Sequence, residues 1–475
     1  MKKVFSLFIF NLFLLASNFA QITGASLNGQ VVSDKNETII GANVLFIHSP
    51  TGTKYGTATD ENGRFTFPEV KAGGPYTLSV SYVGYDNFEK SAINLPLGTL
   101  VSEKILLRET NVALGEVVVS YNKDENKKGA GSNFSRSIIE KTPTLSNGLQ
   151  DVTRLSANAN GNSFAGTNYR YNNLAIDGAA NNDAFGFVEP AVGAGGSQAS
   201  GTPGSLARTQ PISLDVIQEL QVSVAPFDVA LGNFTGGSIN AVTRSGSNET
   251  HGSVYSFVKN QAITGRSADD KRSKIDNFSD YLSGASIGGA IVKNKLFYFT
   301  NLEYNQRLEP APFAAGSEGS AFKLDDIKRI ADTISKRYGY DVGSYGALPL
   351  HIKNTKFFAR LDWNVSDKTQ VSLRHNFVDA QAEHLTRASN IFNFGSQGFT
   401  HFSTTNSTVL EVKSRISAHL FNKIIVSHAF IDEHRETLGK EFPHVEITYG
   451  TEYFCRSISR SCDIQNAPKN DRIYR

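Results

Sequence analysis

Between His251 and Gly450 apolar and polar residues alternate in long runs. Leu296, Tyr298, Thr300, Leu302 and Tyr304 alternate with Phe297, Phe299, Asn301, Glu303 and Asn305. Phe357, Ala359, Leu361, Trp363 and Val365 alternate with Phe358, Arg360, Asp362 and Asn364. Val371, Leu373 and Phe377 alternate with Gln370, Ser372, Arg374 and Asn376, and Leu410, Val412, Ile416 and Ala418 with Glu411, Lys413, Arg415 and Ser417. A period of two predicts strands with one apolar and one charged face. The turns Val292–Lys295, Ser366–Lys368 and Phe421–Lys423 are short, and the connections between these hairpins are long. A soluble sandwich also alternates, but short turns at one end and long loops at the other fit a transmembrane antiparallel barrel. One long connection changes period. Leu324, Ile327, Ile330, Ile334 and Tyr338 share a helical face, Asp325 and Asp326 occupy the first turn, and Gly339 follows as a stop.

Shorter strands come first. From Leu27 to Leu107 the chain reads Gly29–Val32, Ile39–Val44, the turn Asp60-Glu61-Asn62-Gly63 before Arg64–Phe67, and the alternating Tyr76–Tyr82. That spacing predicts a small antiparallel β-sandwich. Leu114–Gly131 contains Glu116, Val117, Val118 and Val119 and then a polar, charged run, predicted to be a linker. An acidic residue followed by valines prefers an extended form and can add a strand to a partner's sheet; by pattern alone it reads equally as the last strand of the sandwich. From Phe134 to Gly246 the reading is α+β. Leu149, Val152 and Leu155 mark a short helical face, and Asn173–Ile176 a strand ending at Asp177-Gly178, where the Asp caps the turn rather than forming a site. Leu214–Gly246 runs strand, glycines at 232, 236 and 237, strand. Those glycines suit either close backbone packing or a flexible loop.

Composition narrows the function. Lys+Arg 47 against Asp+Glu 45 leaves no basic block for nucleic acid. Lys2 and Lys3, the apolar run Val4–Leu15 and Ala20 form a secretory signal, residues 1–20, too short for a membrane anchor. Only Cys455 and Cys462 are present, in a compartment that permits a disulfide, as a loop disulfide or as two free thiols, with no metal-ligand spacing. Catalytic and cofactor patterns fail individually. Gly284-Ala285-Ser286-Ile287-Gly288 matches GxSxG but lies within an alternating strand with no helix after it. Lys71 stands where a calcium loop begun at Asp60 needs Glu. The loop Ala191–Ser205 has neither the third glycine of a dinucleotide fingerprint nor GK[ST]. No enzyme and no cofactor are expected.

The segments GANV, TDENGRF and YTLSVSYVGY resemble the carboxypeptidase-regulatory-like domain, a resemblance that implies no peptidase activity. Leu214–Gly246, the Ile176-Asp177-Gly178 strand, KNKLFYF with the following helix, and RYGYD resemble TonB-dependent outer-membrane receptors of the Bacteroidetes Oar-like type. That resemblance implies a mainly β fold: a β-sandwich at 27–107, a TonB box and linker at 114–131, a plug domain at 134–246, a partial barrel at 251–450 and a polar tail at 451–475. It makes Glu116, Val117, Val118 and Val119 the TonB box, the periplasmic transducer TonB and outer-membrane lipid the partners, and the bacterial outer membrane the location. Energy-coupled uptake of a large or scarce nutrient is the implied function, with a non-transporting surface binding or adhesion protein as the alternative. Such receptors imply about 22 strands, of which about eight are expected here at about ten residues each, so a fragment of a receptor is expected.

Overall fold

A computed structural model describes residues 22–110, 125–126, 129–144, 147–160, 163–183, 201–226, 232, 234–266, 276–417, 420–443, 445–449 and 453–457. The signal segment, Glu116–Val119 and Cys462 lie outside the described residues, as does the Cys455 side chain.

The first unit is a sandwich of two sheets. Strands β1 (Gly24–Ser33), β4 (Arg64–Lys71), β7 (Leu100–Leu107) and β8 (Glu125–Asn126) form one, in the order β4-β1-β7-β8. Strands β2 (Asn43–His48), β3 (Thr53–Ala58), β5 (Gly73–Ser81) and β6 (Phe88–Leu95) form the other, in the order β3-β2-β5-β6. The period-two apolar residues turn inward: Leu27, Val31, Val44, Phe46, Phe65, Phe67, Leu78 and Ile105 make one core. Phe46 stacks on Tyr76 with ring centroids 4.3 Å apart. The Asp60 carboxylate accepts the N–H groups of Asn62 (2.9 Å) and Arg64 (2.8 Å), so the acidic turn is a turn and not an ion loop.

The second unit is a five-stranded sheet. Its members are β9 (Gly129–Ser135), β12 (Asn173–Ile176), β13 (Ala179–Ala180), β14 (Ile217–Pro226) and β15 (Ser238–Thr243), ordered β13-β12-β15-β14-β9. A two-stranded pair, β10 (Ala159–Asn160) and β11 (Ser163–Phe164), lies beside it. The helix Leu149–Thr153 buries Leu149 and Val152 in this unit's core. Leu155 lies beyond the helix end and is exposed, so the predicted three-residue face is one residue too long. Two of the three glycines pack closely, whereas Gly232 has nothing within 4 Å of where its Cβ would be. A Cβ on Gly237 would sit 2.6 Å from the Phe164 ring, and one on Gly236 would sit 2.5 Å from Asn172 Oδ1.

The third unit is a long antiparallel sheet of seven strands: β16 (His251–Asn260), β17 (Ser279–Val292), β18 (Leu296–Pro310), β19 (Pro349–Ser366), β20 (Thr369–His384), β22 (Phe399–Arg415) and β23 (Phe421–Thr437). Each pairs with its neighbour, and among the described residues the first and last strands do not pair with each other. Gly284-Ala285-Ser286-Ile287-Gly288 lies inside β17, with no helix after it. The last short turn differs from expectation. Arg415 ends β22 and Phe421 already begins β23, so the reversal falls before Phe421 rather than at Phe421–Lys423.

The face assignment is inverted relative to a soluble protein. Leu302 is 54% and Trp363 51% exposed, and Phe357, Leu361, Val365, Leu373 and Leu410 point outward with them. Glu303, Arg360, Arg374 and Asn376 are buried on the opposite face against the second unit, and Lys356 is buried beside Glu303. At the long-loop end the helix Leu324–Tyr338 buries Ile327, Ala331 and Ile334. It packs with Phe322, Phe392 and Phe394 into a separate core, beside the small sheet of β21 (Ile391–Asn393), β24 (Val445–Tyr449) and β25 (Tyr453–Ser457). Arg387 is fully buried there and donates to the carbonyls of Asn393, Gly346 and Ser344.

Candidate functional site

The inner unit is held to the strand wall by buried charge. Asp177 adopts φ +46° at the end of β12. Its carboxylate accepts from the Thr243 backbone N–H at 2.9 Å and the Thr243 hydroxyl at 2.7 Å. It also faces Arg374 Nε at 3.0 Å and Arg360 Nη1 at 3.5 Å, both from the wall. Arg360 is shared: it donates to Asp362 and to Thr243 Oγ1 (2.8 Å). Sequence reasoning took Asp177 for a turn cap. In the fold its carboxylate instead ties β12 to Thr243 of β15 and is the anion that two wall arginines converge on. Alternation signalled that Arg360 and Arg374 share the inner face; nothing in the spacing signalled which residue of a distant segment would meet them.

A second cluster centres on Glu303, 1% exposed on β18. It receives Lys356 Nζ at 2.9 Å, the Ser213 hydroxyl at 2.6 Å and the Tyr255 hydroxyl at 2.9 Å. A third centres on Asp215, bound by Arg136 at 2.7 Å and Arg244 at 3.2 Å within the inner unit, with Asn301 of the wall at 3.3 Å. The segment from Gly204 to Asp215 is fastened at several heights. Gly204 N–H donates to Glu433 (2.8 Å), Arg208 pairs with Glu309 (2.6 Å), and Asn376 donates to the Pro211 carbonyl (2.8 Å). Pairs buried this way roughly offset their desolvation when complete and are costly when one partner is lost. They fix position and register more than they add stability.

At the short-turn end Glu219 of β14 is buried and accepts the Leu97 N–H of the sandwich at 2.8 Å. Burial pushes its carboxyl up to about 7, and the Leu97 N–H only partly opposes this. Among the described residues no group of His, Cys, Asp and Glu is arranged to hold a metal. What the geometry provides is a body fastened to a strand wall by several separate sets of hydrogen bonds and ion pairs.

Residues 26–108 match the carboxypeptidase regulatory-like domain, and residues 242–317 match an outer membrane beta barrel domain. The TonB-dependent transporter Oar of Myxococcus xanthus is 26% identical over 306 residues, covering 58% of this chain and 26% of the relative. This chain thus spans about a quarter of the length of that curated relative. Among solved structures, the outer membrane transporter YddB from Escherichia coli is 13% identical with a TM-score of 0.45, over 69% of this chain and 42% of the other. The siderophore receptor PirA from Acinetobacter baumannii is 17% identical with a TM-score of 0.41, over 64% and 40%.

Proposed function

We propose that this chain, an outer-membrane β-barrel protein of the TonB-dependent receptor kind located in the bacterial outer membrane, acts in the energy-coupled uptake of a large or scarce nutrient, and that it belongs to the Oar-like type. The observation that carries the reading is the inverted alternation. Apolar side chains point out of the sheet, while charged ones point inward and hold a separate folded body. Lipid outside and a plug inside is the arrangement that satisfies both faces. An adhesion protein needs an anchored outer surface but no body fastened by breakable ion pairs across the conduit.

In this reading residues 27–107 are the sandwich, 114–131 the box and linker, 134–246 the plug and 251–450 the barrel strands. Glu116, Val117, Val118 and Val119 pair with TonB by strand addition, which supplies the pull that loosens the plug. The cap built on the helix Leu324–Tyr338 faces outside and takes part in substrate choice. The test is photo-crosslinking from position 118 of the full-length protein in cells. A TonB adduct is expected, and Val117→Pro, which removes a backbone donor from an added strand, abolishes it. An unchanged adduct in Val117→Pro, or none in the parent, overturns the assignment of the box.

A further inference from the structure

The sandwich does not hang free of the barrel. It grips two bodies at once at the short-turn end. Toward the wall, the Pro50 carbonyl accepts the Asn248 N–H (2.8 Å) and Thr53 Oγ1 accepts from Asn364 (2.9 Å). Thr23 donates to Glu411 (2.5 Å), and Glu69 pairs with Lys423 (3.1 Å) and Lys413 (3.6 Å). Toward the plug, Leu97 binds through both backbone groups: its N–H to Glu219, and its carbonyl to Asn133 (2.9 Å) and Gln221 (3.1 Å). Ala72, Leu97 and Val242 share a small apolar core across that seam. The approach is close at two glycines, both of positive φ. A Cβ on Gly52 would lie 2.1 Å from Asn294 Oδ1, and one on Gly98 would lie 2.6 Å from Gln221.

Where the three bodies meet there is a cavity of about 50 Å³ of mixed lining, with Lys71, Asp177, Arg360, Asp362 and Lys413 beside Phe297 and Trp363. Both the plug anion Asp177 and its wall partner Arg360 therefore line a cavity to which Thr23, Thr51, Thr53, Tyr55 and Lys71 of the sandwich also contribute. Glu69 answers two wall lysines: burial alone would raise its pKa, but Lys413 and Lys423 more than offset this and lower it. An ionised pair at a seam between bodies is suited to parting, because water can replace each partner on separation.

We propose that the sandwich is a releasable latch on the periplasmic mouth: it clamps plug to wall, and its detachment is a separate step that precedes movement of the plug. The proposal rests on the receptor reading for the sidedness of that mouth, but its test needs neither TonB nor a nutrient. Full-length protein in outer membranes would carry Thr53→Cys with Asn364→Cys, in a background with Cys455 and Cys462 replaced by Ser. Oxidation is expected to cross-link this pair, and Glu61→Cys with Asn364→Cys is expected not to cross-link. The purified full-length protein in a planar bilayer then reports plug release by urea as conductance. The oxidised tether should raise the urea needed, and reduction should restore it. Glu69→Lys should raise opening frequency by about tenfold, equivalent to roughly 1.4 kcal/mol of docking. Glu69→Lys combined with Lys423→Glu should return it toward the parent value. Absence of the cross-link in folded, membrane-inserted protein overturns the docked geometry. A cross-link that forms but leaves the urea response unchanged, with Glu69→Lys opening like the parent, overturns the latch.

Discussion

Single residues decide how firmly the plug is seated. Asp177 occupies a left-handed backbone position that Asn also tolerates. Asp177→Asn therefore keeps the turn but removes the charge and one of the two acceptor oxygens that hold Thr243. Arg374 then loses the carboxylate at 3.0 Å, while Arg360 keeps Asp362. Leaving a buried charge without its partner costs about 3–5 kcal/mol. The plug of Asp177→Asn is expected to release at lower urea, read as the midpoint of its fluorescence or conductance transition. Glu219 gives a pH dependence. Its carboxyl rises from the ordinary 4.5 to about 7 because burial favours the neutral acid. Although the Leu97 N–H binds the ionised form better, burial dominates, so the docked state of Glu219 is favoured below about pH 4.5 and loses that stability as pH rises through about 7. His48 is depressed to about 3 by burial, helped by Lys71, so it stays neutral through that window. Lys71, lowered by burial to about 8, stays mainly charged there. The temperature at which the sandwich becomes protease-sensitive should fall between about pH 5 and pH 7. Glu219→Gln should flatten that profile, and a parent profile already flat would remove Glu219 as its source.

At the level of elements, each strand of the wall carries two opposite jobs on alternate residues. Leu361 faces outward and is exposed, and Arg360 next to it is buried against Asp177 and Thr243. Leu361→Arg places a charge on the lipid side at a cost of about 2–4 kcal/mol near the membrane midplane. It is expected to lower the yield of heat-resistant, membrane-assembled protein, while Leu361→Val leaves it unchanged. The alternation made both faces readable in advance, because a period of two is a local property of the strand. The helix Leu324–Tyr338 was readable from its acidic first turn and from Gly339, which adopts φ +63°, but of its predicted face Leu324 and Tyr338 are exposed and Ala331 is buried in addition. The glycines at 236 and 237 were not readable. Close packing and looseness leave the same letters in a sequence, and only the positions of Phe164 and Asn172 distinguish them. Leu155 failed for a related reason. A three-residue spacing marks a face but not where the helix stops.

On the scale of the whole molecule, the seven-stranded sheet has edges at β16 and β23 that are unpaired among the described residues. Bare strand edges in lipid leave backbone groups without partners. In the membrane, amides of β16 and β23 in the full-length protein are therefore expected to be as slow in hydrogen exchange as those of β18 and β19. Fast exchange confined to those two strands would mean that the wall stands open in the bilayer. A small sandwich, an α+β body and a set of long amphipathic strands with short turns at one end were all legible in the sequence by itself before folding, since each rests on periodicity and turn chemistry within a few tens of residues. The sequence also carried the marks by which residues 26–108 match the regulatory-like domain. Only the tertiary structure decided that Asp177 meets Arg360 and Arg374, that Glu303 gathers Ser213, Tyr255 and Lys356, and that Glu69 and Leu97 fasten the sandwich across the mouth. Those partners lie tens to hundreds of residues apart. A charge on an inward face announces that it needs an opposite charge, but the geometry of three bodies packed together chooses which one it gets.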